Sequence, residues 1–424
     1  MEDVLLIKGG NKITGSIEVR GAKNSAFAVL FASLLTKEPI IVDNLPLIED
    51  VFRSLELLKS VGADIEWLDE RKVRIHAKNI DGSKIDDNIV CKFRGSVLMM
   101  GALLAREGKV SMKTPGGCII GVRPIDTHLD VFSQMGCRVE FYKRKYRISF
   151  KGKKYVPKEV ILNELSVTAT ENAILFASSL PKKTIIKFAD FDYPVQSLVS
   201  ALRKAGVKIK FVPKHHTIEV EGSKKIKGFN FTLPQDPLET GSFILLIASV
   251  KGDALVKNIN LEMSELLLKK LKSFGLEFVI IDNKHIRILP WKTLKIDKVQ
   301  ALPYPGLSVD LLSSFGVLAT QTPGPTLLHD PLYEGRFKYL EELNKMGAEI
   351  YLADPHRAIV NGPSKLEGAD LLNYDLRGGF ALITAGVIAK GKTTIKNVYQ
   401  IYRGYENIEE RLKGLGVDIK TIKV

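Results

Sequence analysis

The chain has 424 residues, 45% of them hydrophobic and 26% charged, the balance of a globular protein and not of a disordered or fibrous one. Its formal charge of +14 suits anionic partners such as nucleotides and phosphorylated metabolites, but the basic residues are scattered, so no nucleic-acid partner is expected. Cys91, Cys118 and Cys137 form no CxxC pair, which argues against structural zinc and fits a reducing cytoplasm, and no apolar stretch reaches the ~20 residues of a membrane span.

The opening MEDVLLIKGG lacks a basic region followed by an apolar core and reads as a strand, not as a signal peptide. One unit then recurs six times. It starts with an apolar helix that ends in a turn and a strand: SAFAVLFASLLTKEPIIV, SVLMMGALLAREGKVSM, ENAILFASSLPKKTIIK, SFILLIASVKGDALVKN, LSSFGVLATQTPGPTLL and FALITAGVIAKGKTTIK. Apolar residues on nearly every face predict that these helices are buried. An amphipathic helix, a glycine and a β-branched strand follow, as in LELLKSVGADIEW and LVSALRKAGVKIKF. The repeated glycines are Gly62, Gly136, Gly206, Gly275, Gly347 and Gly416, roughly 70 residues apart. A hairpin such as ADIEWLDERKVRIHA completes the unit, and the alternation of helices and strands gives an α/β class.

The sixth unit ends at VDIKTIKV without a hairpin partner, while the first strand has no unit of its own. Pairing the two puts both termini in one domain, residues 1–20 plus 235–424. The other domain is 21–234 and carries the Cys118 loop, with crossings near Arg20 and Pro234. Gly386 to Thr393 matches the phosphate-loop pattern GxxxxGK[ST], but a helix precedes it and a strand follows, the reverse of what that loop needs. It is read as a plain turn.

Residues that depart from the repeat are the functional candidates. The buried helices start at Lys23-Asn24, Arg94, Ser166, Glu239, Asp310 and Arg377, where free N–H groups and the helix dipole favour anions. Lys23, Arg94 and Arg377 are capable of gripping phosphate or carboxylate there. Asp310 is either a helix cap or an acceptor for a hydroxyl proton. The segment from Lys113 to His128, KTPGGCIIGVRPIDTH, has no counterpart in the other units. Pro115, Gly116 and Gly117 predict a flexible tip, and Arg123-Pro124 a stiff return. A thiol on such a basic loop makes Cys118 a candidate nucleophile or acid, whereas Cys91 and Cys137 read as inert.

These residues carry a resemblance. GAKNSA at 21–26, FRGSV at 93–97, PGGCIIGVRPIDTH at 115–128, YEGRF at 333–337, DLRGG at 375–379 and YRGYENIEERL at 402–412 are similar to the UDP-N-acetylglucosamine 1-carboxyvinyltransferases, members of the enolpyruvyl transferase family. The resemblance spans the chain and implies two inside-out α/β barrels of three units each, six in all. It implies transfer of the enolpyruvyl group of phosphoenolpyruvate to the 3-hydroxyl of UDP-N-acetylglucosamine with release of phosphate, the first committed step of peptidoglycan synthesis. No metal and no cofactor are called for, and the protein is expected to be a cytoplasmic monomer.

By the same resemblance Cys118 is the general acid that protonates the methylene carbon; a thiol of reference pKa ~8.5 keeps its proton near neutrality. Lys23, Arg123 and Arg403 are the expected grip on phosphoenolpyruvate. Asn24, Arg94, Arg123, Pro124, Ile125, Asp126, Thr127, Glu164, Ser166, Val167, Asp310 and Leu332 are the expected UDP-sugar contacts. Asp310 also takes the hydroxyl proton, Arg377 is a further anion contact, and domain closure with the Cys118 loop excludes water. Covalent inactivation of Cys118 by the epoxide fosfomycin is implied as well.

Departures from the common family pattern cluster on the nucleotide side: Glu164 where lysine is frequent, Tyr193-Pro194-Val195 for Glu-Pro-Glu, Pro237 where an arginine often precedes Glu239, and Ser308-Val309-Asp310 for Pro-Thr-Asp. One rival is a 5-enolpyruvylshikimate-3-phosphate synthase-like enzyme with another acceptor, against which the PGGC loop speaks. The other is a non-catalytic basic binding protein, for which salt-sensitive polynucleotide binding would be the sign.

Overall fold

Six helices that are apolar all round have to be covered all round, and the computed structural model, which describes residues 3–118, 120–150 and 159–423, covers them. Contacts divide the chain into two compact units. One comprises Met1–Arg20, Cys118–Val122 and Gln235–Val424; the other comprises Gly21–Gly117 and Arg123–Pro234.

In the first unit the buried helices are Pro237–Ser249, Leu312–Ala319 and Leu376–Ile388. Three four-stranded sheets lie outside them, each with alternate residues buried on its inner face. In each, a short strand pairs parallel with the strand that follows the buried helix, as Lys298–Gln300 does with Gly324–His329. Two antiparallel strands complete the set, here Arg357–Gly362 and Glu349–Asp354. The last sheet lacks a hairpin of its own. Its third place is taken by Asp3–Lys8, which pairs with Asp418–Lys423 in the register Leu5 to Thr421, as the missing partner predicts.

The second unit repeats the plan around Lys23–Ala32, Met99–Glu107 and Val167–Ala177. Two of its sheets have four strands; the third, Lys109–Lys113, Lys145–Ser149 and Arg138–Tyr142, has three among the described residues. Each unit therefore has helices inside and sheets outside, an inside-out α/β arrangement with its own apolar core. The repeated glycine has one cause in all six copies. Its φ lies between +89° and +101°, the left-handed turn that ends the amphipathic helix and that a Cβ would oppose.

Two expectations need correction. Cys118 was expected in the 21–234 domain, whereas Cys118–Val122 group with the unit that carries the termini. Two hydrogen bonds place it there: Gly335 N–H donates to Ile120 O (3.0 Å) and Val122 N–H donates to a Glu334 carboxylate oxygen (2.7 Å). The scatter of basic residues also has a local exception. Lys143 and Arg144 form the tip of the hairpin Arg138–Ser149 beside exposed Phe141 and Tyr142. Among the described residues no helix is long and apolar enough to cross a membrane.

Candidate active site

All six departures from the repeat stand where buried helices begin. Lys23 opens its helix, and Arg94 opens the tight turn Arg94–Leu98 that leads into Met99–Glu107. Ser166 caps Val167–Ala177 by accepting from Ala169 N–H, and Glu239 lies in the first turn of a helix capped by Asp236. Asp310 sits in the turn Val309–Leu311, but Ser308 accepts from its N–H, so Asp310 is not the cap. Arg377 follows the cap Asp375.

In the second unit the Lys23 ammonium is buried and pairs with Asp50 (2.8 Å), which is buried in the first turn of Glu49–Ser60. Nothing in the sequence signalled Asp50, because the two meet only through packing. Asn24 is half-buried beside Lys23. Arg94 donates to the carbonyls of Arg123 and Pro124, both at 2.7 Å, and so fixes the return of the cysteine-bearing segment. Its glycines serve close approach more than flexibility. A Cβ on Gly116 would lie 1.7 Å from Cys91 O, and one on Gly117, at φ +140°, would lie 3.2 Å from the Arg123 guanidinium. Cys91, expected among apolar surroundings, is exposed; Cys137 is buried, and burial pushes its thiol up to about 12.

Beyond Pro124, Ile125 is buried and Asp126 starts the helix Asp126–Gln134. The Thr127 hydroxyl lies 2.8 Å from Asn163 Oδ1 and 2.7 Å from Glu164 Oε1, so one proton serves two acceptors. Glu164 is exposed, while Ser166 and Val167 are half-buried. Behind them lies a residue the sequence reading assigned to nothing. His128 is buried, with Asn172 Nδ2 donating to its Nδ1 (2.8 Å) and Thr168 Oγ1 3.2 Å from its Nε2. Asn172 also donates to Val97 O and accepts from Gly101 N–H, a contact that only glycine at 101 permits.

Burial, helped by the Arg94 charge, lowers the His128 pKa from 6.5 to about 3. The unfolded chain binds this proton near pH 6.5 and the native chain does not. The His128 contribution to stability is therefore fully present above about pH 6.5 and is lost as pH falls toward 3. Urea titrations between pH 7 and 4 should show a steeper loss in wild type than in His128→Gln. Parallel pH profiles would remove His128 as the cause.

In the first unit Arg403 is buried, and its Nη1 donates to Gln400 Oε1 (2.9 Å) and to Cys118 Sγ (3.2 Å). Cys118 is half-buried, its neighbour Ile119 lies outside the described residues, and a guanidinium beside the sulfur stabilises negative charge left there. A second cluster surrounds Asp310. One of its oxygens accepts from Arg336 Nη2 (3.0 Å) and the other from Arg377 Nε (3.1 Å), so both guanidinium groups hold the carboxylate in place. Arg336 is also 3.7 Å from Asp375 and 3.9 Å from Asp330. Burial opposes its charge, but Asp310, Asp375 and Asp330 outweigh that and push its pKa upward. Arg377 Nη1 donates to Tyr405 Oη (3.0 Å), which lies 2.8 Å from Ser242 Oγ. Leu332 is exposed, with its N–H bonded to Asp330.

Sequence reading thus missed Arg336, Gln400, Tyr405 and Glu334. Arg336 and Glu334 lie in YEGRF and Tyr405 in YRGYENIEERL, which were noticed as motifs without roles for those residues. Gly386 to Thr393 runs from the end of the helix Leu376–Ile388 through a turn into the strand Lys392–Lys396, so a helix precedes the turn and a strand follows it, as expected.

The family model described as EPSP synthase (3-phosphoshikimate 1-carboxyvinyltransferase) matches residues 7–412. UDP-N-acetylglucosamine 1-carboxyvinyltransferase of Treponema denticola is 37% identical over 422 residues, 98% of each chain. The enzyme of that name from Bradyrhizobium diazoefficiens is 36% identical, over 98% of this chain and 97% of its own. Among solved structures, the enolpyruvyl transferase NikO from Streptomyces tendae superposes with a TM-score of 0.90 at 22% identity, covering 100% of this chain and 99% of its own. EPSP synthase from Acinetobacter baumannii gives 0.77 at 18% identity, covering 100% of both chains. At those identities the solved structures speak for the fold alone. The full-length relatives and the family model carry the assignment: the chain belongs to the enolpyruvyl transferase family.

Proposed function

We propose that the chain transfers the enolpyruvyl group of phosphoenolpyruvate to the 3-hydroxyl of UDP-N-acetylglucosamine and releases phosphate. The single observation that carries this reading from family to chemistry is the Arg403 guanidinium 3.2 Å from the Cys118 sulfur. Cys118 gives its proton to the methylene carbon, and Arg403 offsets the charge left on sulfur. Asp310, held by Arg336 and Arg377, accepts the proton of the attacking hydroxyl as the new C–O bond forms. The product keeps its double bond, so as the C–O bond to phosphate breaks a proton leaves the new methyl group and returns to the Cys118 sulfur. Lys23, Arg123 and Arg403 bind phosphoenolpyruvate in this reading. Asn24, Arg94, the 123–127 and 164–167 stretches and Leu332 serve the UDP-sugar, and Arg377 is a further anion contact.

Relatives at 33% to 37% identity over nearly the whole chain support this acceptor over shikimate 3-phosphate. The reading also makes the protein a cytoplasmic monomer. Phosphate release from phosphoenolpyruvate, measured with UDP-N-acetylglucosamine and separately with shikimate 3-phosphate, is the test. Release with the UDP-sugar alone is expected. Release with shikimate 3-phosphate alone would reassign the acceptor, and release with neither would remove the proposal.

A further inference from the structure

Cys118 reaches Arg403 only if the backbone around it is held, and beyond the buried Ile120 side chain the described part of the segment has little of its own to hold it. Gly121 has no side chain, and Val122 is 78% exposed. The anchoring comes from Tyr333–Gly335. The Glu334 carboxylate accepts from Val122 N–H at 2.7 Å, and Gly335 N–H donates to Ile120 O at 3.0 Å. Both glycines are shaped for this contact. A Cβ on Gly121, at φ +125°, would sit 2.5 Å from a Glu334 oxygen, and one on Gly335 would sit 2.7 Å from the Ile120 carbonyl carbon. Glu334 is exposed and makes no salt bridge among the described residues; its carboxylate bonds to the Val122 N–H and to its own backbone.

We propose that Glu334 is a positioning residue: its carboxylate pins the backbone at Val122 and so keeps the Cys118 sulfur within reach of Arg403. The inference rests on the reading of Cys118 as the acid. A carboxylate accepting from a backbone N–H makes a charge-assisted bond, stronger than a neutral one. Consistent with that, the Val122 bond is the largest of the influences that hold the Glu334 carboxyl below its ordinary range, followed by its own backbone, with His356 a smaller one. Glutamine at 334 still offers an oxygen to Val122 N–H; alanine offers none.

The test uses the full chain with Cys91→Ser, so that the exposed Cys91 thiol is absent and Cys118 is the thiol that reacts. Glu334→Ala and Glu334→Gln are compared in this background by amide exchange at Val122, alkylation of Cys118 by iodoacetamide, and kcat against KM. Glu334→Ala should speed Val122 exchange about 10-fold, alter the alkylation rate, and lower kcat by roughly 10-fold with little change in KM for the UDP-sugar, because orientation and not uniform binding is lost. Glu334→Gln should recover most of each effect, and the urea midpoint should stay put, as for a surface substitution. Unchanged Val122 exchange in Glu334→Ala, or altered exchange with wild-type kcat, would overturn the inference. If wild type shows no turnover the functional reading fails, while exchange and alkylation still decide whether Glu334 holds the segment.

Discussion

Replacing Cys118 with alanine should lower turnover by about 100- to 10,000-fold, the range for loss of a positioned general acid. The fold should survive, because Cys118 is half-buried and Arg403 keeps its bond to Gln400 when the sulfur is gone. The loss belongs in kcat more than in KM, since the residues proposed to bind phosphoenolpyruvate, Lys23, Arg123 and Arg403, are all retained. Aspartate at 118 puts a different acid beside the same guanidinium. Cys118→Asp should therefore keep activity that alanine loses and should resist inactivation by fosfomycin, whose epoxide needs a thiolate. Phosphate release with and without fosfomycin reads both outcomes. Turnover of Cys118→Ala within a few fold of wild type, or inactivation of Cys118→Asp by the epoxide, would remove Cys118 from the proposed role.

The second large effect is expected at Arg336, and it falls on stability as well as on turnover. Arg336 is buried 3.0 Å from Asp310, 3.7 Å from Asp375 and 3.9 Å from Asp330. Taking the cation out strands carboxylates in a site with little water. Breaking a buried pair from one side costs about 3–5 kcal/mol, so Arg336→Met should lose stability of that order. Burial already raises the Asp330 carboxyl pKa, and among the described residues one of its oxygens has no hydrogen-bond partner, so it has little left to offset the missing charge. The sign with pH follows. In the variant Asp330, whose carboxyl pKa burial already raises, takes up a proton more readily than in the unfolded chain, so the deficit should be largest near neutrality and shrink as pH falls toward 4. Lysine is an incomplete substitute, because one ammonium does not reproduce the planar fork that faces several carboxylates. Urea denaturation of Arg336→Met and Arg336→Lys at pH 7 and pH 5 checks this. A loss below about 1 kcal/mol, or one that does not change with pH, would show that the Asp310 cluster does not depend on Arg336.

Much of the architecture follows from local pattern, for reasons that hold within a short window of chain. Apolar residues on all faces of SFILLIASV or FALITAGVI leave burial as the only stable solution, and six copies at a constant period require six equivalent units. The repeated glycine forces a left-handed turn that few other residues accept, so the end of each amphipathic helix is legible from one letter. The orphan strands at the two ends of the chain could be matched because an unpaired edge in a repeat has one vacancy and one candidate. The candidates at the helix starts were legible too, because Lys23, Arg94, Asp310 and Arg377 are departures from a pattern that the fold alone does not explain.

What pairs with those candidates was decided by packing between distant segments. Lys23 meets Asp50, Arg403 meets Cys118, and Arg336 with Arg377 meets Asp310. No spacing in the sequence encodes these encounters, because each depends on how separate segments of the chain pack together. The same holds for His128, whose neutral state comes from burial behind Arg94 and not from any neighbour in sequence. Tertiary structure also moved Cys118 out of the 21–234 grouping, through one bond to the Glu334 carboxylate and one from the Gly335 backbone, which meet the segment only on folding. The six-unit α/β plan and the chemical types available at the helix starts were therefore legible from local pattern alone. Their partners came from tertiary packing, because hydrophobic periodicity is local, whereas a hydrogen bond or ion pair needs two groups from separate stretches of the chain brought within about 3 Å.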